Sequence, residues 1–410
     1  MKKQKIVNDP VHGFISIRNP LAYELIEHPY FQRLRSIKQL GLTHLVYPGA
    51  CHTRFQHALG AMHLMGQAVE VLRYKGHDIS HDEAEAAECA MLLHDIGHGP
   101  FSHALEFSIV GKVAHEDISA AMMRDLNREM GGQLDLTLAI FGNSYPKNFL
   151  HQLVSSQLDV DRLDYLCRDS YFSGVAEGAI GIERIIKMLE VVNDELVVEA
   201  KGIHSVEKFL IARRLMYWQV YLHKTVIAAE QLLVNIFARA KMLVQQGKPL
   251  TADEALLFFL KQDFDAAGIG DRHALRCFVG LTDSDVDCAV KSWCANPDRT
   301  LSLLCQMLTA RKLPKVEIRS EEFARAQIDE LQQKTAQMLE VSKDEAAYFT
   351  QANVLINRAY SPNGDPIKFL QHSGELRDIY EASDMLNATA FRQETTKHFL
   401  CYPKEVGRKF

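Results

Sequence analysis

The chain has 410 residues, of which 47% are hydrophobic and 24% charged, the balance of an ordinary folded protein with ample length for a sizeable core. A net charge of −6 gives no support for general nucleic-acid binding, though it leaves room for a local basic pocket, and the longest apolar run, near 256–260, falls far short of the roughly 20 residues a membrane helix needs. The eight cysteines contain no Cys-x-x-Cys pair and the N-terminal residues resemble no secretory leader, so reduced thiols and a cytoplasmic location are expected.

Asn8-Asp9-Pro10 followed by His12-Gly13 reads as a turn, and residues 14–17 as a short strand. A helix is expected from Pro20 toward His28. A second should bury Phe31, Leu34, Ile37 and Leu40 on one stripe, with Gln32, Arg33, Arg35 and Lys38 elsewhere on it. Tyr47-Pro48-Gly49-Ala50 is a turn, and Thr53 caps a helix reaching about Tyr74 that carries Arg54 and His57 near its start. Helices are then expected over 82–96, 116–130 and 146–167. Residues 190–199 alternate about Asn193-Asp194 as a β-hairpin. Ser205 caps a long helix to about 246, and Thr251-x-x-Glu254 opens a region of short helices. Beyond Pro314, strands near 315–319, 347–358, 366–371, 375–380 and 397–402 alternate with helices near 320–340 and 382–392. The fold class is therefore mainly α: a helical core over 1–250, and a 251–410 region that is helical, then α+β, packed on it as one joined unit.

The chemistry concentrates in His94-Asp95-Ile96-Gly97-His98-Gly99-Pro100-Phe101-Ser102-His103. Good helix formers precede it, and Gly97, Gly99 and Pro100 stop the helix, which puts His94-Asp95 at its end and His98 and His103 on the turn beyond. Imidazole and carboxylate suit a divalent metal. A single His here would read as a cation at a helix C-terminus, but three His and an Asp read as metal chemistry. His57 and an acidic helix can complete the ligands: in Leu158-Asp159-Val160-Asp161-Arg162-Leu163-Asp164-Tyr165, helical spacing puts Asp161, Tyr165 and Asp169 on one face, with Asp164 set to pair with Arg168. The set His57, His94, Asp95 and Asp161 leaves positions open for water and substrate. His98, His103, His115 and Glu106 remain for supporting, phosphate-binding or proton-transfer roles, and Arg54 and Arg162 suit an anionic substrate. Arg213, Tyr217 and Tyr221 recur at i,i+4, with Trp218 and Leu222 packing inward. His12, His52 and His63 read as structural. No P-loop and no His-Glu-x-x-His helix occurs.

Five motifs come in a fixed order: Asp9-Pro10-Val11-His12-Gly13, Phe31 through Gly41, Tyr47-Pro48-Gly49-Ala50 through His57, His94 through His103, and Asp159 through Tyr165. With them the chain resembles the HD-domain phosphohydrolases, in the branch of the vertebrate SAM-and-HD-domain dNTP triphosphohydrolase and its bacterial relatives, without a SAM domain. The resemblance implies an all-helical HD core and hydrolysis of a dNTP at the α-phosphate to deoxynucleoside and inorganic triphosphate. It implies a divalent metal (Mn, Mg, Fe, Zn or Ni) on His57, His94, Asp95 and Asp161. It implies His103 as the proton donor to the leaving oxygen, with His115 and Glu106 as a supporting pair. Arg54, His98, Arg162, Arg213 and Tyr221 would hold phosphates, joined by Tyr217 among the substrate-binding residues. Gln39, Leu40, Tyr165 and Asp169 would line the sugar pocket, Tyr165 disfavouring a 2′-hydroxyl. Glu27, Gln32 and Arg35 correspond to an activating nucleotide site, and a homo-oligomer is implied. Arg162, Tyr217 and Glu27 stand where the vertebrate enzyme has Lys, His and Asp. An HD site acting on another nucleotide or a phosphodiester, and a nucleotide-binding regulatory protein, are the alternatives.

Overall fold

A computed structural model of the chain describes residues 5–111, 113–357, 360, 366–385 and 395–407. It is mainly helical, with three small sheets. Gly13–Ile17 pairs antiparallel with Lys5–Asp9, and the Asn19 side chain accepts from the Leu21 and Ala22 N–H groups to cap the helix Pro20–Glu27. The stripe of Phe31, Leu34, Ile37 and Leu40 is buried. It is not carried on one helix. A short helix Pro29–Gln32 tightens into a 3-10 turn Arg33–Ser36 and the chain is extended at Ile37. The tighter turn accompanies an inward Arg33, whose guanidinium donates to the carbonyls of Ile96 and His98, both at 2.8 Å.

The helix Arg54–Tyr74 is the spine of the core, lying between the helices His81–Leu93 and Val160–Ser173. Gly60 sets its closeness to the second of these: a Cβ there would fall 2.0 Å from Asp164 Oδ1 and 2.2 Å from an Arg168 guanidinium nitrogen. Two expected helices break. The 146–167 stretch divides into Asn148–Val154 and Val160–Ser173, because Asp159 takes the N–H groups of Ser156 and Arg162 (both 2.8 Å) and caps a new start. The 205–246 stretch divides into Ile203–Met216, a π-helical turn Tyr217–Tyr221, and Lys224–Gln245 capped by His223. Asp253 rather than Thr251 caps the next helix, Glu254–Lys261. The hairpin is formed by Leu189–Val192 and Glu195–Glu199, with Asn193 and Asp194 at φ 52° and 66°, the left-handed pair that a tight two-residue turn requires.

The C-terminal region is α+β as expected. Thr395–Tyr402 lies between Lys315–Arg319 and Gln351–Asn357, antiparallel to both. Lys368–Leu370 adds parallel to Glu195–Glu199 and pairs with Leu376–Asp378. A helical turn Ile379–Ala382, capped by Asp378, takes the end of the expected 375–380 strand. The expected 382–392 helix does not start, since the chain is extended at Ser383 and residues 383–385 are not helical, and its remainder lies outside the described residues. Each of the two large apolar clusters draws on residues both before and after position 250: Leu92, Phe237 and Trp293 share one, Leu64, Phe209 and Phe369 the other.

Candidate active site

The helix carrying the His-Asp pair ends at Leu93, and His94 is its C-cap. Ser119 from the helix His115–Glu129 holds the turn that follows, donating to the His94 carbonyl (2.7 Å) and accepting from the Gly97 N–H (2.9 Å). Gly97 is required for that approach, since a Cβ would meet the His115 carbonyl oxygen at 2.2 Å. His103 belongs to the following helix, Ser102–Ile109, rather than to the turn, and its side chain lies outside the described residues.

Three helices converge on one point. His57 Nε2 lies 3.0 Å from Asp161 Oδ1 and 3.4 Å from His94 Nε2, which is 3.5 Å from the same oxygen. Asp95 joins them at 3.2 Å from His94 Nε2 and 3.7 Å from His57 Nε2. The outer ring nitrogens are already engaged: His57 Nδ1 with Asp164 Oδ2 at 2.8 Å, His94 Nδ1 with the Met91 carbonyl at 2.6 Å. Each Nε2 therefore faces inward toward two carboxylates, the arrangement of metal-binding histidines oriented by outer partners. His57, His94 and Asp161 form a donor set that could hold a divalent cation, and the adjacent Asp95 groups in the same way with His98 and His115. Burial lowers the His57 pKa, but Asp161 and Asp164 outweigh it and push it up to about 10, a measure of how much negative charge faces this spot.

Around the cluster, Arg54 donates to Asp95 at 2.5 Å and His98 Nε2 lies 3.3 Å from the other oxygen of that carboxylate. His98 stacks on His115 with ring centres 3.8 Å apart, and His115 Nδ1 meets Glu106 at 2.6 Å. Burial and the Arg54 charge hold His98 well below the ordinary imidazole range. Burial also opposes charge on His115, yet the Glu106 hydrogen bond leaves it raised.

One helical turn beyond Asp161, Tyr165 opens a cavity of about 330 Å³ lined by Gln39, Leu40, Thr43, Tyr165, Asp169, Tyr217, Tyr221, Leu222 and Glu230. Asp169 is pinned by His52 Nε2 and by the Tyr221 hydroxyl, both at 2.7 Å. The π-helical turn brings Tyr217 and Tyr221 to this wall with ring centres 5.1 Å apart. Arg213 is buried, and its Nε and Nη1 have no hydrogen-bond partner among the described residues. Trp218 does not pack inward: it is half-buried beneath Lys397, whose ammonium lies 4.0 Å from the ring centre. Leu222 faces the cavity.

Glu27, Gln32 and Arg35 form a separate group. Glu27 pairs with Lys5 at 2.5 Å, Arg35 donates to Gln32 at 2.8 Å, and the Arg35 guanidinium sits 3.6 Å from the centre of the Phe55 ring. Sequence reasoning missed Lys5, the supporting role of Asp164, and Glu230. Asp164 was foreseen only as the partner of Arg168. It does make that pair (2.9 Å), and it also meets His12 (2.6 Å) and His57, while Arg168 reaches on to Asp9 (2.7 Å). His12 and His52 are thus structural, each fixing a carboxylate of the site. The early Asp9-to-His12 motif carried the signal, because both its ends bind this network.

Residues 54–169 match the HD domain, and residues 180–256 match the HD associated region. An uncharacterized protein of Bacillus subtilis, YwfO, is 31% identical over 99% of this chain and 94% of its own length. The chain belongs to the HD-domain phosphohydrolase family. A solved structure of a phosphohydrolase from Bacteroides thetaiotaomicron is 50% identical to this HD-domain chain, with a TM-score of 0.94 over 98% of this chain and 100% of that one. Human SAMHD1, a deoxynucleoside triphosphate triphosphohydrolase, is 31% identical over 58% of this chain, which spans 44% of that relative's length. No helix among the described residues is long and apolar enough to cross a membrane.

Proposed function

We propose that this HD-domain protein is a metal-dependent dNTP triphosphohydrolase that cleaves at the α-phosphate, releasing deoxynucleoside and inorganic triphosphate. The observation that carries the reading is the continuity of one helix: Asp161 stands in the metal cluster, and Tyr165 and Asp169, on successive turns of the same face, line the adjoining cavity. A substrate whose reacting phosphorus is at the cluster would lay its sugar along Tyr165 and Asp169. A divalent metal held by His57, His94, Asp95 and Asp161 would supply Lewis acidity and activate water.

The chain's own residues do the rest. Arg213, buried with unsatisfied N–H groups, offers charge-assisted donors to phosphate, and Arg54, His98, Arg162, Tyr217 and Tyr221 would complete its surroundings. Asp169, held by His52 and Tyr221, would accept from a sugar hydroxyl, and Gln39 and Leu40 would close that side. Tyr165 would disfavour a 2′-hydroxyl. His103 would protonate the leaving 5′ oxygen, with His115 and Glu106 as its supporting pair. The 1–250 unit would hold this chemistry, in a cytoplasmic homo-oligomer, and Glu27, Gln32 and Arg35, joined by Lys5, would bind an activating nucleotide.

The test is product analysis on metal-reconstituted protein with a panel of dNTPs and NTPs, with and without GTP or dGTP. Deoxynucleoside with intact triphosphate is expected. Orthophosphate or pyrophosphate would assign a different phosphohydrolase class, and nucleotide binding without turnover under any metal would favour a regulatory protein.

A further inference from the structure

The cavity contains one charged group that the proposed chemistry does not use. Glu230 lies in the second turn of the helix Lys224–Gln245 and lines the cavity together with Leu40, Tyr165, Asp169, Tyr221 and Leu222. Among the described residues it makes neither an ion pair nor a hydrogen bond, and burial alone lifts its carboxyl from 4.5 to about 7. A half-buried carboxyl without a partner is poorly compensated for the water it has lost. A ligand that brings N–H donors to it removes that cost.

The position says which part of a ligand would do so. Phosphates are drawn to the metal cluster and Arg213, and Asp169 is the acceptor for the sugar. Glu230 and the apolar side chain of Leu222 remain for the base: an apolar wall for its face, a carboxyl for its edge. Among the four bases, guanine alone presents two adjacent N–H donors on its Watson–Crick edge. A carboxylate accepts such a pair through both oxygens. Adenine and cytosine place an acceptor beside their amino group, and thymine offers a single N–H between two carbonyls.

We propose that Glu230 reads the base of the substrate by accepting the two N–H groups of guanine, making dGTP the preferred dNTP. This deepens the dNTP triphosphohydrolase reading and rests on it for the orientation of the nucleotide. Glutamine at this position, with one acceptor and one donor, suits the donor-acceptor edges of adenine and cytosine instead.

The experiment compares wild-type and Glu230→Gln holoenzyme on dGTP, dATP, dCTP and dTTP, measuring triphosphate release, alongside calorimetric binding of deoxyguanosine and thymidine. The wild type is expected to favour dGTP over dTTP in kcat/KM by about tenfold, within the range of one bidentate base contact. Glu230→Gln should remove that advantage and raise dATP relative to dGTP. Equal scaling of all four substrates by the substitution, or no change in their ratios, overturns the proposal. Glu230→Asp, which keeps the charge and shortens its reach, makes the same comparison if the Gln variant does not fold. If no dNTP yields triphosphate, the hydrolase reading fails by itself, and the nucleosides then decide the role of Glu230. Tighter deoxyguanosine binding that the substitution abolishes supports the proposal, and equal affinity for both nucleosides overturns it.

Discussion

Asp164 Oδ2 lies 2.8 Å from His57 Nδ1, and its other oxygen lies 2.6 Å from His12 Nε2. Both residues of the first pair are fully buried, so this carboxylate fixes which imidazole nitrogen faces Asp161. Replacing Asp164 by Asn preserves shape and removes the charge. Metal affinity should fall by about 10- to 100-fold, the usual cost of losing an outer partner of a ligating histidine. Metal titration by calorimetry measures it. Nucleotide KM at saturating metal should be unmoved, and a large rise in KM there would assign Asp164 to substrate instead.

The same carboxylate limits what the Arg54–Tyr74 helix can carry. Gly60→Ala places a methyl where Asp164 and Arg168 now sit, and neither can withdraw without breaking the Asp164–Arg168–Asp9 chain. Overpacking of this kind costs about 1–3 kcal/mol. Urea denaturation should show a midpoint lowered accordingly, with a drop in metal affinity because His57 loses its anchor. A variant as stable as wild type would mean that the helices separate freely.

These two relationships show what the sequence conveys and what it withholds. That His57, His94, Asp95 and Asp161 come together is legible because metal chemistry restricts residue type, and that Tyr165 and Asp169 continue from Asp161 is legible because they keep helical spacing. The breaks at 155–159 and 217–221 are not legible. In the first, Asp159 and Ser156 offer the backbone alternative partners, which helix propensity alone does not weigh. In the second, a π-helical turn inside an amphipathic pattern leaves the period almost intact while re-aiming Tyr217 and Tyr221. Glu230 carries no motif at all. It becomes visible only when Leu40, from the first fifty residues, and Tyr165 close the same cavity around it.

A pH effect on stability follows from Glu83, which caps its own helix at Ser80 and is buried against Lys147 and Tyr145 (2.8 and 2.6 Å). Burial raises its pKa, yet the bonds from Lys147, Tyr145 and the Ser80 N–H outweigh this and bring it to about 2, from an ordinary 4.5. The folded value is the lower one, so the unfolded chain takes up the proton first. The stabilisation is complete above 4.5 and is lost as pH falls toward 2, amounting to ~3 kcal/mol at full ionisation. Stability of Glu83→Gln and wild type should therefore converge on acidification through that window and differ above pH 5. A constant difference between pH 3 and 7 would contradict this.

Arg213 gives the sharpest separation between binding an anion and supporting the fold. The residue is 7% exposed, with Nε and Nη1 unsatisfied among the described residues, and its charge stands close enough to Tyr165 to oppose the burial that raises the phenol's pKa. If it supported the fold alone, Arg213→Ala would lower the melting temperature and leave nucleotide binding unchanged in the folded fraction. As a phosphate donor it should do the reverse: removing a buried, unpaired charge costs little stability, while loss of charge-assisted bonds weakens binding by about 2–3 kcal/mol, or roughly 30- to 150-fold in Kd. Arg213→Lys should recover only part of that, because an ammonium does not reproduce the planar fork. The discriminating measurement is nucleotide affinity of the three proteins beside their melting curves. Full recovery by Lys would reduce the role of Arg213 to charge alone, and unchanged affinity in the Ala variant would remove it from the phosphate site.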